Sequence, residues 1–195
     1  MFSWVLIGFM ACNEGAVNTP AKVTDAPTTS TPVTTEAGDV SLSMHKDSTI
    51  EWVGSKVLGQ KQKGGFKDIQ GTAIVDKDGK LKSVTATINI LSLYSAKEKL
   101  TKHLLNEDFF LSSQFATATF TSRKITDTEL TGTLNMRGVK KEITFDATTT
   151  TSNDQVNIVA ELAINRKDWG INYAGKADNL ILDDVDVSLN VKYTK

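Results

Sequence analysis

Apolar and polar residues alternate along most of the chain from about residue 49 to its end. Two segments, SVTATINI and DVDVSLNVKY, show the alternation best, with apolar residues at Val84, Ala86, Ile88, Ile90, Val185, Val187, Leu189, Val191 and Tyr193. A period of two is typical of strands that bury one face. The intervening positions are rich in threonine and other polar residues, so the pattern predicts antiparallel strands with one solvated face.

The pattern predicts eight strands and one helix. The segments DKDGK and TSND are candidate turns that link neighbouring strands as hairpins. A helix is expected near 97–106, with Ser95 as a candidate N-cap and Glu98 at capping-box spacing. The strands are expected near 49–58, 65–76, 81–93, 115–124, 128–138, 140–150, 155–166 and 183–194.

Eight such strands could form a sandwich or a closed barrel, and we expect the barrel because closure removes exposed sheet edges. The expected fold is therefore all-β, an eight-stranded antiparallel barrel with one short helix. Small residues at inward positions could leave room for a ligand or relieve crowding where the barrel narrows; we favour the first. These positions are Gly71, Ala73, Ala86, Ala116, Ala118, Gly132, Ala147 and Ala160.

The amino terminus resembles an export signal. An apolar run at 4–10 is too short to span a bilayer, which needs roughly 20 residues, and is typical of the h-region of a signal peptide. It is followed by Cys12, the only cysteine, in a segment FMAC that resembles a bacterial lipobox. We therefore expect residues 1–11 to be a signal peptide and Cys12 to be lipidated. An ordinary export signal with a chance cysteine is the alternative, since no Lys or Arg precedes Cys12.

Residues 12–46 differ in composition from the rest. All three prolines and seven threonines fall between residues 13 and 46, and no aromatic residue does. Such a segment buries too little apolar surface to offset the entropy of ordering it. We expect the lipidated cysteine and a disordered tether at 12–46, followed by one domain at 47–195. The protein would then be exported and lipid-anchored in the bacterial cell envelope, in the periplasm or at the outer membrane.

Charge and motifs narrow the chemistry. With 22 basic and 23 acidic residues the formal net charge is −1, which gives no electrostatic footprint for nucleic acid. Metal-ligand spacing and a glycine-rich phosphate loop are both missing from the sequence, so we expect no metal, no other cofactor and no enzymatic activity. A lone cysteine excludes an intramolecular disulfide.

Three motifs carry a family resemblance. HLLNEDFF at 103–110, LTGTLNMRGVKKEITFDA at 130–147 and INRKDWGI at 164–171 resemble signature segments of the YceI-like family, in the same order and spacing. The resemblance covers residues 48–195. It implies a lipocalin-like barrel whose apolar tunnel binds a polyisoprenoid, such as an isoprenoid quinone or a polyprenyl phosphate, in an exported protein. Trp169 stands where the family usually has Phe, and Thr101 where an acidic residue is common.

Two polar positions have alternative interpretations. His103 could donate a hydrogen bond to a ligand headgroup, or it could be satisfied by the backbone where the helix meets the barrel. Arg166 and Asp168 lie two residues apart and could form a salt bridge that closes the barrel end, or Arg166 could bind a phosphate or carbonyl oxygen. The candidate ligand-binding residues are His103, Arg166, Asp168, Trp169, Ala86, Ala118, Ala160 and Phe120.

The sequence therefore predicts a lipid-anchored envelope protein that binds or carries a long apolar ligand. The alternative is a structural or interaction protein of the envelope with a packed barrel and no ligand. Its expected partners are the apolar ligand and the membrane, and a homodimer is compatible with the sequence.

Overall fold

The computed structural model describes residues 18–27 and 35–195, so the predicted signal peptide and Cys12 lie outside the described residues. Within these ranges the chain forms one helix, α1 (Glu98–Leu105), and two short 3₁₀ turns at Ile90–Ser92 and Arg166–Trp169. It also forms fifteen strands in the same ranges: β1 (Lys22–Asp25), β2 (Val40–Met44), β3 (Thr49–Lys56), β4 (Lys61–Phe66), β5 (Ile69–Gln70), β6 (Thr72–Val75), β7 (Leu81–Asn89), β8 (Leu93–Ser95), β9 (Thr117–Ile125), β10 (Glu129–Met136), β11 (Val139–Asp146), β12 (Thr148–Thr151), β13 (Gln155–Asn165), β14 (Gly175–Lys176) and β15 (Asn179–Thr194).

The long alternating segments fold as predicted. β3, β7, β9, β10, β13 and β15 all lie within a few residues of their expected bounds, and the all-β class with one helix is confirmed. The helix begins later than its proposed cap. Lys97 is its N-cap residue and makes no side-chain capping bond, whereas Ser95 ends β8 and bonds to Thr101 Oγ1 at 2.9 Å.

The prediction of eight strands in a closed barrel is wrong in the number of strands and in the closure of the sheet. The fifteen strands of the described ranges belong to one curved sheet, in which β11, β10, β9, β7, β6, β2, β15 and β3 are successive neighbours and β13 also pairs with β15. Hydrogen-bonded pairing among the described residues does not complete the ring. The two consecutive strands β11 and β12, which are separated only by Ala147, have different neighbours: β11 pairs with β10, whereas β12 pairs with β13.

The amino-terminal segment enters this seam. β1 pairs antiparallel with β11, from Lys22 opposite Thr144 to Asp25 opposite Lys141. Just before it, Ala21 N donates to Ala163 O of β13 at 2.8 Å, and Ala163 N donates to Thr19 O at 3.1 Å. Residues 19–25 thus lie between β11 and β13, where the two strands do not pair with each other.

The domain therefore begins before residue 47, where the sequence placed its boundary. β2 pairs with β6 and β15, and Leu42 is fully buried. Because β2 supplies core residues and backbone pairs, it belongs to the folded domain and not to a tether. None of the helices in the described ranges has the length and apolar character required to cross a membrane.

Candidate functional site

The curved sheet encloses an elongated cavity of about 280 Å³. Its walls come from inward residues of β3, β7, β9, β10, β11, β13 and β15. Along β13 and into the first residue after it, the lining runs from Ile158 to Arg166, eight residues apart, or about 26 Å at 3.3 Å per strand residue. A volume of about 280 Å³ over this length makes the space narrow. Its wall is almost entirely apolar, so it suits a hydrocarbon chain. Every inward residue expected on β7 and β15 belongs to it: Val84, Ala86, Ile88, Ile90, Val185, Val187, Leu189, Val191 and Tyr193.

Tyr193 forms one end of the cavity. Its side chain is 2% exposed, and its hydroxyl donates to Thr85 O of β7 at 2.9 Å. β15 and β7 are separated by two strands in the sheet, so the phenol reaches across the interior and closes it. Burial raises the pKa of the Tyr193 hydroxyl, which therefore stays protonated at neutral pH.

The helix and the segment after it cover another part of the cavity. Leu100 and Leu104 of α1 line it, together with Phe109 and Phe110. His103 lies behind this cover and does not line the cavity. Its Nε2 lies 2.8 Å from Asp108 Oδ2. Its ring makes edge contacts with the rings of Phe109 and Tyr173, whose centroids lie 5.1 and 5.0 Å from the imidazole centroid. The histidine thus has a structural partner, but this partner is the carboxylate of Asp108 and not the backbone group that the structural alternative expected.

Arg166 lies in the cavity wall where β13 ends in a 3₁₀ turn, and it is 4% exposed. It donates from Nε to Leu182 O at 3.2 Å, from Nη1 to Ile171 O at 2.5 Å and from Nη2 to Asp183 Oδ1 at 3.2 Å. These bonds account for three of its five N–H groups. Burial lowers the pKa of Arg166, opposed by the nearby Asp183, yet an arginine keeps its charge in a protein.

The salt bridge between Arg166 and Asp168, one of the two alternatives, is not present: Asp183 is the carboxylate that pairs with Arg166. The segment 166–169 is a 3₁₀ turn and not an extended strand, so the two side chains do not share a side. Asp183 is the ion-pair partner of Arg166 and also contacts Lys167 Nζ at 2.8 Å. Asp168 does not line the cavity.

The other predicted site residues divide between the cavity and the surrounding core. Ala86, Ala118 and Phe120 line the cavity. Trp169 is fully buried outside the lining and donates from Nε1 to Leu134 O at 3.3 Å. Ala160 is 5% exposed and is also buried without lining the space.

Small inward residues serve both purposes that the sequence left open. Ala86 and Ala118 leave space for the cavity. Gly132 instead accommodates the ring of Phe120, because a Cβ there would meet Phe120 Cε2 at 2.6 Å. Gly71 lies so close to the Thr85 backbone that a Cβ would collide with it. Ala116 is exposed, so its inward assignment was wrong.

The pattern of the sequence did not predict the polar end of the cavity. Ser55, Lys56 and Gln62 line it together with Ile181, all partly exposed and next to the exposed turn 57–60. We call this end the mouth. The KVLGQKQK segment gave no alternating signal because it forms a hairpin tip between β3 and β4.

One polar atom in the wall is unpaired. Trp52 lines the cavity, and its buried Nε1 has no hydrogen-bond acceptor among the described residues. The same ranges hold no group of three or more His, Cys, Asp or Glu residues placed to bind a metal ion.

Comparison with known proteins identifies the family. The pattern of the YceI-like domain matches residues 43–193, more than three quarters of the chain. The chain belongs to the YceI-like family. The family match begins within β2, which agrees with the domain boundary seen in the structure.

Relatives of this YceI-like chain include a UPF0312 protein of Staphylococcus aureus. It is 29% identical over 135 residues, which cover 65% of this chain and 78% of that protein.

Solved structures share its fold at lower identity. BcnA of Burkholderia cenocepacia is 18% identical with a TM-score of 0.65, over 75% of this chain and 96% of that one. A polyisoprenoid-binding domain from Saccharophagus degradans, implicated in plant cell wall breakdown, is 16% identical with a TM-score of 0.65, over 78% and 97%.

Proposed function

We propose that this protein binds the chain of a polyisoprenoid, or of a similar long apolar lipid, inside the cavity. The observation that carries the proposal is the shape and chemistry of the wall: a narrow space extending about 26 Å along β13 and lined by aliphatic and aromatic side chains. A ligand pocket usually measures about 300–1,000 Å³, and the present 280 Å³ suits one extended chain better than a bulky ring system. The polyisoprenoid-binding domain of Saccharophagus degradans, which has the same fold, supports this ligand class.

The ligand would lie with its headgroup at the mouth. Tyr193 closes the opposite end, whereas Lys56 and Arg166 supply positive charge at the polar end. The two N–H groups of Arg166 without an acceptor among the described residues could bind a phosphate or carbonyl oxygen. Trp52 Nε1 offers one further donor within the wall.

Binding is proposed here and not catalysis. The titratable residues of the lining are Lys56, Arg166 and Tyr193, and Tyr193 lies at the far end from the other two. An acid–base reaction needs groups that converge on one reacting atom, and the wall offers no such convergence. The protein would hold or carry its ligand in the cell envelope, anchored through a lipid on Cys12.

Filling the cavity tests the proposal. Ala86→Phe would place a ring in the space that the ligand chain needs, whereas Thr87→Phe would place the same ring on the exposed outer face of β7. We expect full-length Thr87→Phe to retain apolar lipid like the wild type and Ala86→Phe to lose most of it, at a cost of about 1–3 kcal/mol in stability from overpacking.

Lipid content would be measured by mass spectrometry of a solvent extract, and circular dichroism would check the fold. Equal lipid content in folded Ala86→Phe and Thr87→Phe would contradict a ligand in the cavity and favour a packed interaction protein.

A further inference from the structure

Exposed apolar side chains cluster beside the mouth. Within the described ranges six large apolar residues are exposed, and four of them lie in the β3–β4 turn or at the start of β15: Val57 (60%), Leu58 (67%), Leu180 (44%) and Leu182 (44%). We call these four the rim patch. Val57 N donates to Leu180 O at 3.0 Å, so the tip of the β3–β4 hairpin touches the start of β15.

The rim patch is continuous with the cavity. Lys56 and Ile181, which pair with each other across β3 and β15, both line the mouth and are each flanked by residues of the patch. Arg166 joins the two, since its Nε donates to Leu182 O. Whatever covers the rim patch would therefore lie at the entrance.

The hairpin that carries Val57 and Leu58 is basic. Between Glu51 and Asp68 the chain has four lysines and no acidic residue. In the described part of the chain Lys56, Lys61 and Lys63 form no ion pair. They are thus available to an external anion.

The neighbouring β14–β15 hairpin contributes carboxylates, but they do not cancel this charge. Asp183 is engaged by Arg166 and Lys167. Asp178 and Asp184 are exposed, and Lys176 offsets one of them. The end of the molecule around the mouth therefore carries a net positive charge.

We propose that the rim patch and these three lysines dock the mouth onto the surface of an anionic phospholipid bilayer. Aliphatic side chains at a turn tip can enter the headgroup–acyl boundary, and lysines next to them gain about 1 kcal/mol each near an anionic surface. A protein partner fits this surface less well. Protein interfaces favour aromatic residues and arginine and are depleted of lysine, whereas the rim patch has no aromatic residue.

Docking in this orientation gives the cavity a direct route to the membrane. The mouth would face the acyl chains, and an apolar ligand could pass between bilayer and protein without crossing water. Apart from Lys56, the docking surface is built from residues outside the cavity wall, so its binding to vesicles can be measured without a ligand in the cavity.

A fluorescent probe at the tip tests the proposal. Cys12 is the only cysteine, so full-length protein carrying Cys12→Ser and Leu58→Cys can be labelled at residue 58 alone with an environment-sensitive NBD group. With phosphatidylcholine vesicles that contain phosphatidylglycerol, we expect the emission to rise and shift to the blue. With phosphatidylcholine alone the shift should be much smaller.

A matched probe and a matched charge variant control for non-specific binding. The β6–β7 turn lies at the opposite end of the sheet from the mouth. It adjoins the start of β2, and β2 pairs with the carboxyl-terminal end of β15. The mouth instead lies where Lys56 pairs with Ile181, near the start of β15. A Lys77→Cys probe in that turn should not shift. Lys61→Gln/Lys63→Gln should weaken vesicle binding roughly thirtyfold, or about 2 kcal/mol, whereas Lys77→Gln/Lys80→Gln should leave it unchanged.

Three outcomes would overturn the proposal. One is the absence of a shift at residue 58 with anionic vesicles. Another is an equal shift at residues 58 and 77. The third is a shift at residue 58 that depends on protein concentration and not on vesicles, which would indicate a second copy of the chain or another protein on the rim patch.

Discussion

Arg166 combines two tasks that a sequence cannot separate. Its bonds to Leu182 O, Ile171 O and Asp183 join β13, the loop after the 3₁₀ turn and β15. The same guanidinium lies in the cavity wall. It is therefore a structural residue by its contacts and a candidate headgroup site by its position.

Replacing Arg166 should separate these tasks. Arg166→Met leaves two carbonyl oxygens and Asp183 with fewer partners, so we expect a stability loss of about 1–3 kcal/mol. We also expect the substitution to reduce the affinity for a polyprenyl phosphate more than the affinity for the corresponding hydrocarbon, measured by displacement of a fluorescent lipid. Asp183→Asn is the control, since it removes the ion pair but keeps the guanidinium. Equal loss of both ligands in Arg166→Met would show that Arg166 only holds the fold.

Asp39 gives the fold a defined response to acid. Glu36 N donates to its carboxylate at 2.8 Å, and Lys82 Nζ at 3.0 Å. These bonds lower the pKa of Asp39 below its ordinary value of 3.8, the backbone bond from Glu36 contributing most. The stabilisation is present above the unfolded pKa and is lost as pH falls through the folded one.

We therefore expect the unfolding free energy of the wild type to fall more steeply on acidification than that of Asp39→Asn. Urea unfolding at several pH values between about 5 and 2 measures the difference. Parallel curves for the two proteins would contradict the assignment.

At the scale of elements, the seam between β11 and β13 is the least regular part of the sheet. The chain changes partner at Ala147, and residues 19–25 lie in the resulting gap. β1 has only four residues and is mostly exposed, but Val23 packs on the core opposite Ile143. β1 thus covers an edge that would otherwise be open to pairing with another chain.

A charge at Val23 tests this role. Val23→Asp should lower the unfolding free energy by about 1–3 kcal/mol, because a carboxylate would be placed against the core. Thr24→Asp, on the exposed face of the same strand, should change it little. Chemical denaturation of the full chain compares the two, and equal stability of both variants would mean that β1 does not contribute to the fold.

The elements that the sequence predicted well are those with long alternation. β7 and β15 have unbroken period-two segments, and their inward residues form the cavity wall. β1 and β4 could not be found in this way. KVTD is short and polar, and the glycines of KQKGGF resemble a loop. Gly64 is instead required in a strand, because a Cβ there would collide with Tyr94 O and Trp52.

The mouth was unpredictable for a related reason. Which residues line it depends on how the β3–β4 and β14–β15 hairpins meet, and that contact follows from the curvature of the whole sheet. His103, Asp168 and Trp169 were expected to bind the ligand because they belong to the family motifs. A motif indicates the family, however, and not the direction in which a side chain points. All three lie outside the cavity wall.

At the scale of the whole molecule, the proposed anchor at Cys12 is separated from the folded domain by only a short length of chain. Thr19 is already bonded to β13, so only seven peptide units separate it from Cys12, or at most about 25 Å of extended chain. A lipid on Cys12 would therefore hold the domain closer to the bilayer than a tether extending to residue 46.

Cys12→Ser should release the protein from the membrane fraction while leaving its fold intact. Two or more acyl chains make a stable anchor, whereas one gives only marginal binding. Fractionation followed by mass spectrometry of the amino-terminal peptide measures this. Wild-type protein that carries an unmodified thiol and stays soluble would contradict the anchor.

Ligand binding is tested most directly by extracting the full-length protein, purified without detergent, with organic solvent and identifying the extract by mass spectrometry. We predict a polyisoprenoid or another single-chain apolar lipid in a ratio of about one per protein, because the cavity accommodates one extended chain. A folded wild-type protein that releases no apolar molecule, and takes none up when incubated with an isoprenoid quinone or a polyprenyl phosphate, would contradict the account.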